Sequence, residues 1–227
     1  MLTFERRNGA LGDRIRVHID NLVIAGWTGR DPKAIQRHVE ELAAIGVPPP
    51  STTPLFYRVS NALVTQTDRL QVLGPDTSGE AEPVIVALAD GLWLGVGSDQ
   101  TDRRAEAMSV ALSKQLGPKV MGRRLWRLAD LLPRWDTLRL RAFATIGSKR
   151  TLYQDATLSA MRTADDLIRR FTGGKDSLAP GTVMFCGTVA AIGGVRPSDR
   201  FEVELEDPAG GEKLALAYDV DVLPVVS

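Results

Sequence analysis

The chain has 227 residues, with 28 Lys or Arg against 28 Asp or Glu, so its formal net charge is +0; 44% of it is hydrophobic and 25% charged. Balanced charge with no long Lys/Arg block excludes affinity for nucleic acid or an anionic membrane built on phosphate neutralisation, and the apolar content excludes a disordered chain. No run reaches the roughly 18 apolar residues of a membrane span, and charges stand where a secretory signal has its apolar stretch, so a cytoplasmic location is expected.

In chain order, residues 14–24 (RIRVHIDNLVI) alternate, with Ile15, Val17 and Ile19 on one side, which predicts a half-buried strand. A helix follows, capped by Asp31 with Pro32 in its first turn, carrying an apolar stripe of Ile35, Val39, Leu42 and Ile45 and stopped by Gly46. The run VPPPSTTP (47–54) predicts an extended connection. It either joins an N-terminal strand and helix segment, 1–54, packed on a main body of 55–227, or is a rigid loop within one domain.

From Leu55 the pattern turns to strands: LFYRVS, RLQVLG, EPVIVAL and LWLGVGS, the last two forming a hairpin about Ala89-Asp90-Gly91. Helices are predicted over 103–115 and over 157–171, the second stopped by Gly173-Gly174, with a strand over 137–146 between them. GTVMFCGTVAAIG, DRFEVELED and EKLALAYDV return to strands. The class is α+β, mostly β, with a few covering helices.

The single cysteine, Cys186, excludes an internal disulfide and any multi-cysteine metal site, so a metal here would take mostly oxygen ligands. Glu80 and Glu82 are two apart and project from one face if the segment is extended. Two like charges held side by side repel, and a divalent cation relieves the repulsion. The two hairpin arms are of similar length, so Asp99 returns to the same end. The competing reading is a solvated strand face. Arg103 and Arg104 follow at once, and guanidinium groups beside a cation suit a small anionic substrate.

These residues resemble a known family. Glu80-x-Glu82 followed by Asp99-x-Thr101-x-Arg103 is similar to the metal-binding core of the fumarylacetoacetate hydrolase superfamily. The run SLAPGTVMFCGTVAAIGGVRPSDRFEVELED (177–207) and the segment Tyr153-Gln154-Asp155 with Thr157 and Met161 match that family in the same order. Within it the chain looks most like a bacterial branch known as a domain of unknown function (DUF2848-like).

The resemblance implies a mixed β-roll, Mg2+ or Mn2+ (with Ca2+ as a third candidate) held by Glu80, Glu82 and Asp99, a small carboxylate substrate and a homodimer. It implies catalytic roles for Arg103 and for Lys119, twenty positions after Asp99, and substrate binding by Thr188, with Lys114 a second candidate lysine and Gln154 in the matched segment. The implied activity is metal-dependent hydrolysis, decarboxylation, or hydration and tautomerisation of a 2-oxo or diketo acid. The alternative is a non-catalytic binding protein that keeps the scaffold.

Three departures bear on the reaction. Hydrolytic members carry a histidine upstream of the Glu-x-Glu pair, whereas PLFYRVSNALVTQTDRL has none and the chain holds only His18 and His38. Tyr57, Arg58 or a metal-bound water then stand as substitutes. Only 17 positions separate Glu82 from Asp99, a compact hairpin. Glu106 takes the place of a family glutamine and acts as a base or as an intrahelical partner of Arg103. Trp93, Trp126 and Trp135 read as packing residues, Cys186 as a buried apolar one, and the stretch GRRLWRLADLLPRWDTLRLRA as a helix and strand with snorkelling arginines.

Overall fold

The computed structural model describes residues 1–8, 11–44 and 48–226. Among them the larger sheet has ten strands, with a main path in the order Leu11–Val17, Leu2–Asn8, Arg124–Arg127, Gly91–Asp99, Ala81–Leu88, Thr182–Phe185, Asn21–Gly26, Leu55–Val59. Lys119–Met121 joins it, antiparallel to Gly91–Asp99 and parallel to Val64–Thr65. A second sheet runs Lys149–Thr157, Arg139–Ile146, Arg200–Asp207, Glu212–Leu223, Arg69–Leu73.

The apolar run Ala81–Leu88 is buried from Ala81 to Ala87 because both of its faces are covered. Ile85 and Ala87 face the second sheet, packing in one cluster with Leu140, Ala142, Val203 and Leu205. Val84 and Val86 face the other way, into a cluster with Phe4, Leu22, Ile24, Trp93, Leu125, Val183 and Phe185. All of those residues belong to the larger sheet, so that sheet rolls around its own contents. On Arg200–Asp207 the alternation is complete: Phe201, Val203 and Leu205 are buried, while Glu202 and Glu204 pair with Arg150 and Lys213.

The strand at 14–24 is two strands, broken at 18–20, and the first pairs as a hairpin with Leu2–Asn8. Helix Pro32–Ala44 starts as expected, the Asp31 carboxylate accepting the Lys33 N–H at 2.9 Å; its expected stop at Gly46 and the stripe residue Ile45 lie outside the described residues. The helix expected over 103–115 is divided into Arg103–Glu106 and Val110–Leu116. Ser109 is extended (φ −161°) and its hydroxyl accepts the Leu112 N–H at 3.3 Å, which starts a new helix instead of continuing the old one.

The helix expected from 157 begins only at Ala164, because Lys149–Thr157 is a strand paired with Arg139–Ile146. It ends at Gly173 in the left-handed conformation, φ +69°. The strand expected through 181–193 stops at Phe185, and the arginine-rich stretch holds the strand Arg124–Arg127 and short 3-10 turns where a helix is expected. Trp93, Trp126, Trp135 and Cys186 are buried. No helix among the described residues is long and apolar enough to cross a membrane.

Candidate metal centre

The turn at Ala89-Asp90-Gly91 folds the hairpin so that Glu82 stands opposite Gly97 and Ala81 opposite Ser98. Its ladder runs one step further: the Glu80 N–H donates to the Asp99 carbonyl at 3.1 Å and the Asp99 N–H to the Glu80 carbonyl at 2.9 Å. Past that step Thr77–Ser78 pairs with Thr101–Asp102. Each of Glu80, Glu82 and Asp99 thereby offers a carboxylate oxygen, all within 4.8 Å of one another. An all-oxygen donor set of this kind suits a hard divalent cation. Both Asp99 oxygens are buried, and each faces an ammonium group at 2.7 Å, Oδ1 that of Lys119 and Oδ2 that of Lys114.

Basic side chains surround the acids. Lys114 Nζ lies 2.8 Å from Glu80 Oε2 and 2.7 Å from Asp99 Oδ2, and Lys119 Nζ lies 2.7 Å from Asp99 Oδ1. Arg103 donates to Glu80 Oε1 at 3.0 Å, to Glu106 Oε2 at 2.8 Å and, from Nε, to Ser78 Oγ at 2.7 Å. Glu106 is thus the partner of Arg103 at i+3.

Burial pushes the Glu80 carboxyl up, but Lys114 and Arg103 outweigh it and hold it at about 2. Burial and the neighbouring Asp99 push Glu82 well above the usual carboxylate range. Burial disfavours charge on both lysines: for Lys114 the charges of Asp99 and Glu80 prevail and raise its proton affinity, whereas for Lys119 burial prevails and lowers it.

Main-chain contacts fix the rest. Lys119 Nζ donates to the carbonyls of Gly117 at 2.6 Å and Gln100 at 3.2 Å. A Cβ on Gly117 would come within 1.8 Å of the Gln100 carbonyl oxygen, so only glycine permits that approach. The Gly187 N–H donates to Glu82 Oε2 at 2.7 Å, from a backbone at φ +92° where a Cβ would meet Thr28 Oγ1 at 1.9 Å. Gly187→Ala is therefore expected to lower stability by about 1–3 kcal/mol and to weaken Mn2+ binding by moving this amide. Chemical denaturation and a Mn2+ titration check it.

Of the remaining sequence candidates, the structure brings Gln154 and Thr188 to the same strand end. Gln154 Oε1 accepts the Ala81 N–H at 3.0 Å, its Nε2 donates to Thr188 Oγ1 at 2.7 Å, and Thr188 Oγ1 donates to the Ala81 carbonyl at 2.8 Å. Tyr57 is half-buried, with Lys114 and Glu106 as its charged neighbours, and its hydroxyl accepts from Trp27 Nε1 at 3.3 Å. Arg58, next along the strand, does not join them. It bonds Asn21 Oδ1 at 2.7 Å and lines a separate cavity of about 290 Å3 with Phe171 and Lys175, because neighbouring strand residues point to opposite faces.

His18 is exposed and bonds Asp20 at 2.9 Å, beside Gly181, at the opposite end of Thr182–Phe185 from Gly187. His38 lies on the helix Pro32–Ala44. Absent from the sequence reading are Gln100 and Tyr218: the Tyr218 hydroxyl donates to Gln100 Oε1 at 2.8 Å and lies 2.8 Å from Ser98 Oγ, while Gln100 Nε2 donates to Thr77 Oγ1 at 2.7 Å. Gln100 stands between Asp99 and Thr101, and that position is the one available signal.

A family model described as "Protein of unknown function (DUF2848)" matches residues 25–218. No curated protein matches the sequence. Among solved structures, 2-keto-3-deoxy-D-arabinonate dehydratase complexed with magnesium and 2,5-dioxopentanoate superposes with a TM-score of 0.64 at 14% identity, over 95% of this chain and 85% of that one. A yeast protein, ynq8, of the fumarylacetoacetate hydrolase family gives 0.64 at 14% identity, covering 92% and 95%. The 5-carboxymethyl-2-hydroxymuconate delta-isomerase of Mycobacterium smegmatis gives 0.58 at 16%, covering 92% and 78%. At these identities the likeness establishes the fold, a fumarylacetoacetate hydrolase-like β-roll.

Proposed function

The chain belongs to the DUF2848 family, and from that premise we propose that it is a divalent-metal-dependent enzyme acting on a small 2-oxo acid or diketo acid. The observation that carries this reading is the cluster of Glu80, Glu82 and Asp99 within 4.8 Å, set among Lys114, Lys119 and Arg103. A neighbour of the same fold was solved with magnesium and a dioxo acid, which supports both the cation and the substrate class.

Glu80, Glu82 and Asp99 would hold the ion, Mg2+ or Mn2+. When bound, it supplies Lewis-acid stabilisation of negative charge developing on the substrate's keto oxygen. The residues around it have positional work. Lys119 is pinned by two carbonyls and orients Asp99, and Arg103 orients Glu80. Gln154 and the Ala81 carbonyl hold Thr188, whose hydroxyl would turn its one proton from that carbonyl to a substrate carboxylate. Tyr57 is the half-buried acid or base candidate beside Lys114 and Glu106, and burial raises its proton affinity, so it is protonated at neutral pH.

Hydrolysis through a histidine-activated water has no support from His18, whose carboxylate partner and exposed position lie away from the cluster. Decarboxylation, hydration and tautomerisation are the favoured reactions, and His18→Asn is expected to leave turnover unchanged in any assay that reads it. The same reading places the protein in the cytoplasm as a homodimer. Exposed Leu112 and Leu116, one turn apart on Val110–Leu116, with exposed Met108 in the turn before it, supply an apolar patch for self-association.

Mg2+ and Mn2+ titrations of wild type and Glu82→Ala, followed by thermal unfolding, test the centre. A cation binding the native state at 100 times its Kd adds about 2.7 kcal/mol, so a rise in Tm is expected for wild type and none for the variant. Absence of a shift in wild type would refute the assignment. Oxaloacetate, acylpyruvates and 2-hydroxydienoates, offered with Mn2+, separate an enzyme from a binding protein.

A further inference from the structure

Every carboxylate oxygen of Glu80 and Asp99 touches a cationic side chain. Glu80 Oε1 accepts from Arg103 at 3.0 Å and Oε2 from Lys114 at 2.8 Å; Asp99 Oδ1 lies 2.7 Å from Lys119 and Oδ2 2.7 Å from Lys114. A divalent cation coordinates such oxygens at about 2.0–2.6 Å, so whichever of these four it takes, it arrives beside the ammonium or guanidinium group already on that oxygen. Glu82 cannot relieve this alone, and its Oε2 already accepts the Gly187 N–H.

The three cationic side chains are not equally free to yield. Lys119 is fully buried and anchored by two main-chain carbonyls besides Asp99. Arg103 is anchored by Ser78 and Glu106 besides Glu80. Lys114 has one neutral partner, Thr101 Oγ1 at 3.2 Å, and is otherwise held by the two carboxylates a cation would claim. It is also the lysine with some exposure, and both Glu106 and Tyr57 lie close enough to feel its charge. A retained ammonium beside an incoming dication would face like-charge repulsion, whereas a swing toward Glu106 replaces one carboxylate partner by another.

We propose that Lys114 is an exchangeable counter-cation of the metal centre: its ammonium and a divalent cation compete for Glu80 and Asp99, while Lys119 and Arg103 stay in place. This rests on the metal-centre reading given above. It divides the two lysines by role. Lys119 positions a ligand, and Lys114 is released toward the substrate side when the ion enters.

Two measurements test it. In a Mn2+ titration followed by the paramagnetic resonance signal of the free ion, Lys114→Met and Lys114→Gln should bind roughly tenfold tighter than wild type, and Lys119→Met no tighter. On wild type itself, Mn2+ should speed reductive methylation of Lys114, mapped by peptide mass spectrometry, and leave Lys119 protected. Equal or weaker Mn2+ affinity in folded Lys114 variants, with wild type binding, overturns the exchange and leaves the metal centre standing. An unchanged or slowed Lys114 methylation in Mn2+-bound wild type does the same. If wild type does not bind Mn2+, the metal centre falls and the exchange with it.

Discussion

Replacing Asp99 by alanine is expected to cost about 3–5 kcal/mol of folding stability and to abolish divalent-cation binding. The side chain is fully buried and lies 2.7 Å from two ammonium groups. Removing it leaves Lys119 without a counter-charge at a site with no exposure, and a lone buried charge is far costlier than a buried pair is favourable. The deficit should depend on pH in a set direction. Without Asp99 the folded-state pKa of Lys119 drops further below its unfolded value, so the penalty is complete below the folded pKa. It shrinks as pH rises through that value and vanishes near the unfolded value of about 10.4. Urea denaturation at several pH values reads this out. A loss under about 1 kcal/mol, with Mn2+ binding intact, would show that the centre is not organised around Asp99.

Gln154→Leu should rank next. The side chain is buried and uses both ends of its amide, accepting from the Ala81 N–H and donating to Thr188 and to the Val189 carbonyl. Leucine matches its bulk but strands the Ala81 donor and the Val189 acceptor; at about 1–3 kcal/mol for each unsatisfied buried group, a total loss of about 2–6 kcal/mol follows. A cycle with Thr188→Val distinguishes a network from a set of separate bonds. If Gln154 acts by holding Thr188, the two substitutions together cost clearly less than their sum. Strict additivity would remove Gln154 from the rim and leave it a local brace for one strand.

The parts of the centre that could be read in the sequence are those written locally. Alternation in EPVIVAL and LWLGVGS, with Asp90-Gly91 between them, gives the hairpin, and arms of similar length bring Glu80, Glu82 and Asp99 together. Asp31 and Gly173 announce helix ends through the chemistry of caps. Elements that depend on distant partners left little trace. Lys119–Met121 and Arg124–Arg127 are too short to show a period, and each is a strand because the edge of Gly91–Asp99 offers it hydrogen bonds. The continuous helix expected over 103–115 fails at Ser109, where a hydroxyl cap outcompetes helix propensity spread over good formers. The Tyr218 contacts with Ser98 and Gln100 join residues 120 and 118 positions apart, and no spacing rule reaches that far. Arg58 adjoins Tyr57 in sequence but not at the site, because on a strand adjacency means opposite faces.

The pairing of Asn21–Gly26 between Leu55–Val59 and Thr182–Phe185 has a consequence for the order of events during synthesis. The acidic hairpin is local and can close as soon as Asp99 leaves the ribosome, but its neighbour Thr182–Phe185 and the Gly187 amide on Glu82 arrive almost ninety residues later. Contacts of such long separation form slowly and late. Until they do, the nascent chain presents an early strand with one edge unpaired and a cluster of carboxylates without its final wall, so in chain order the centre is completed from its C-terminal side.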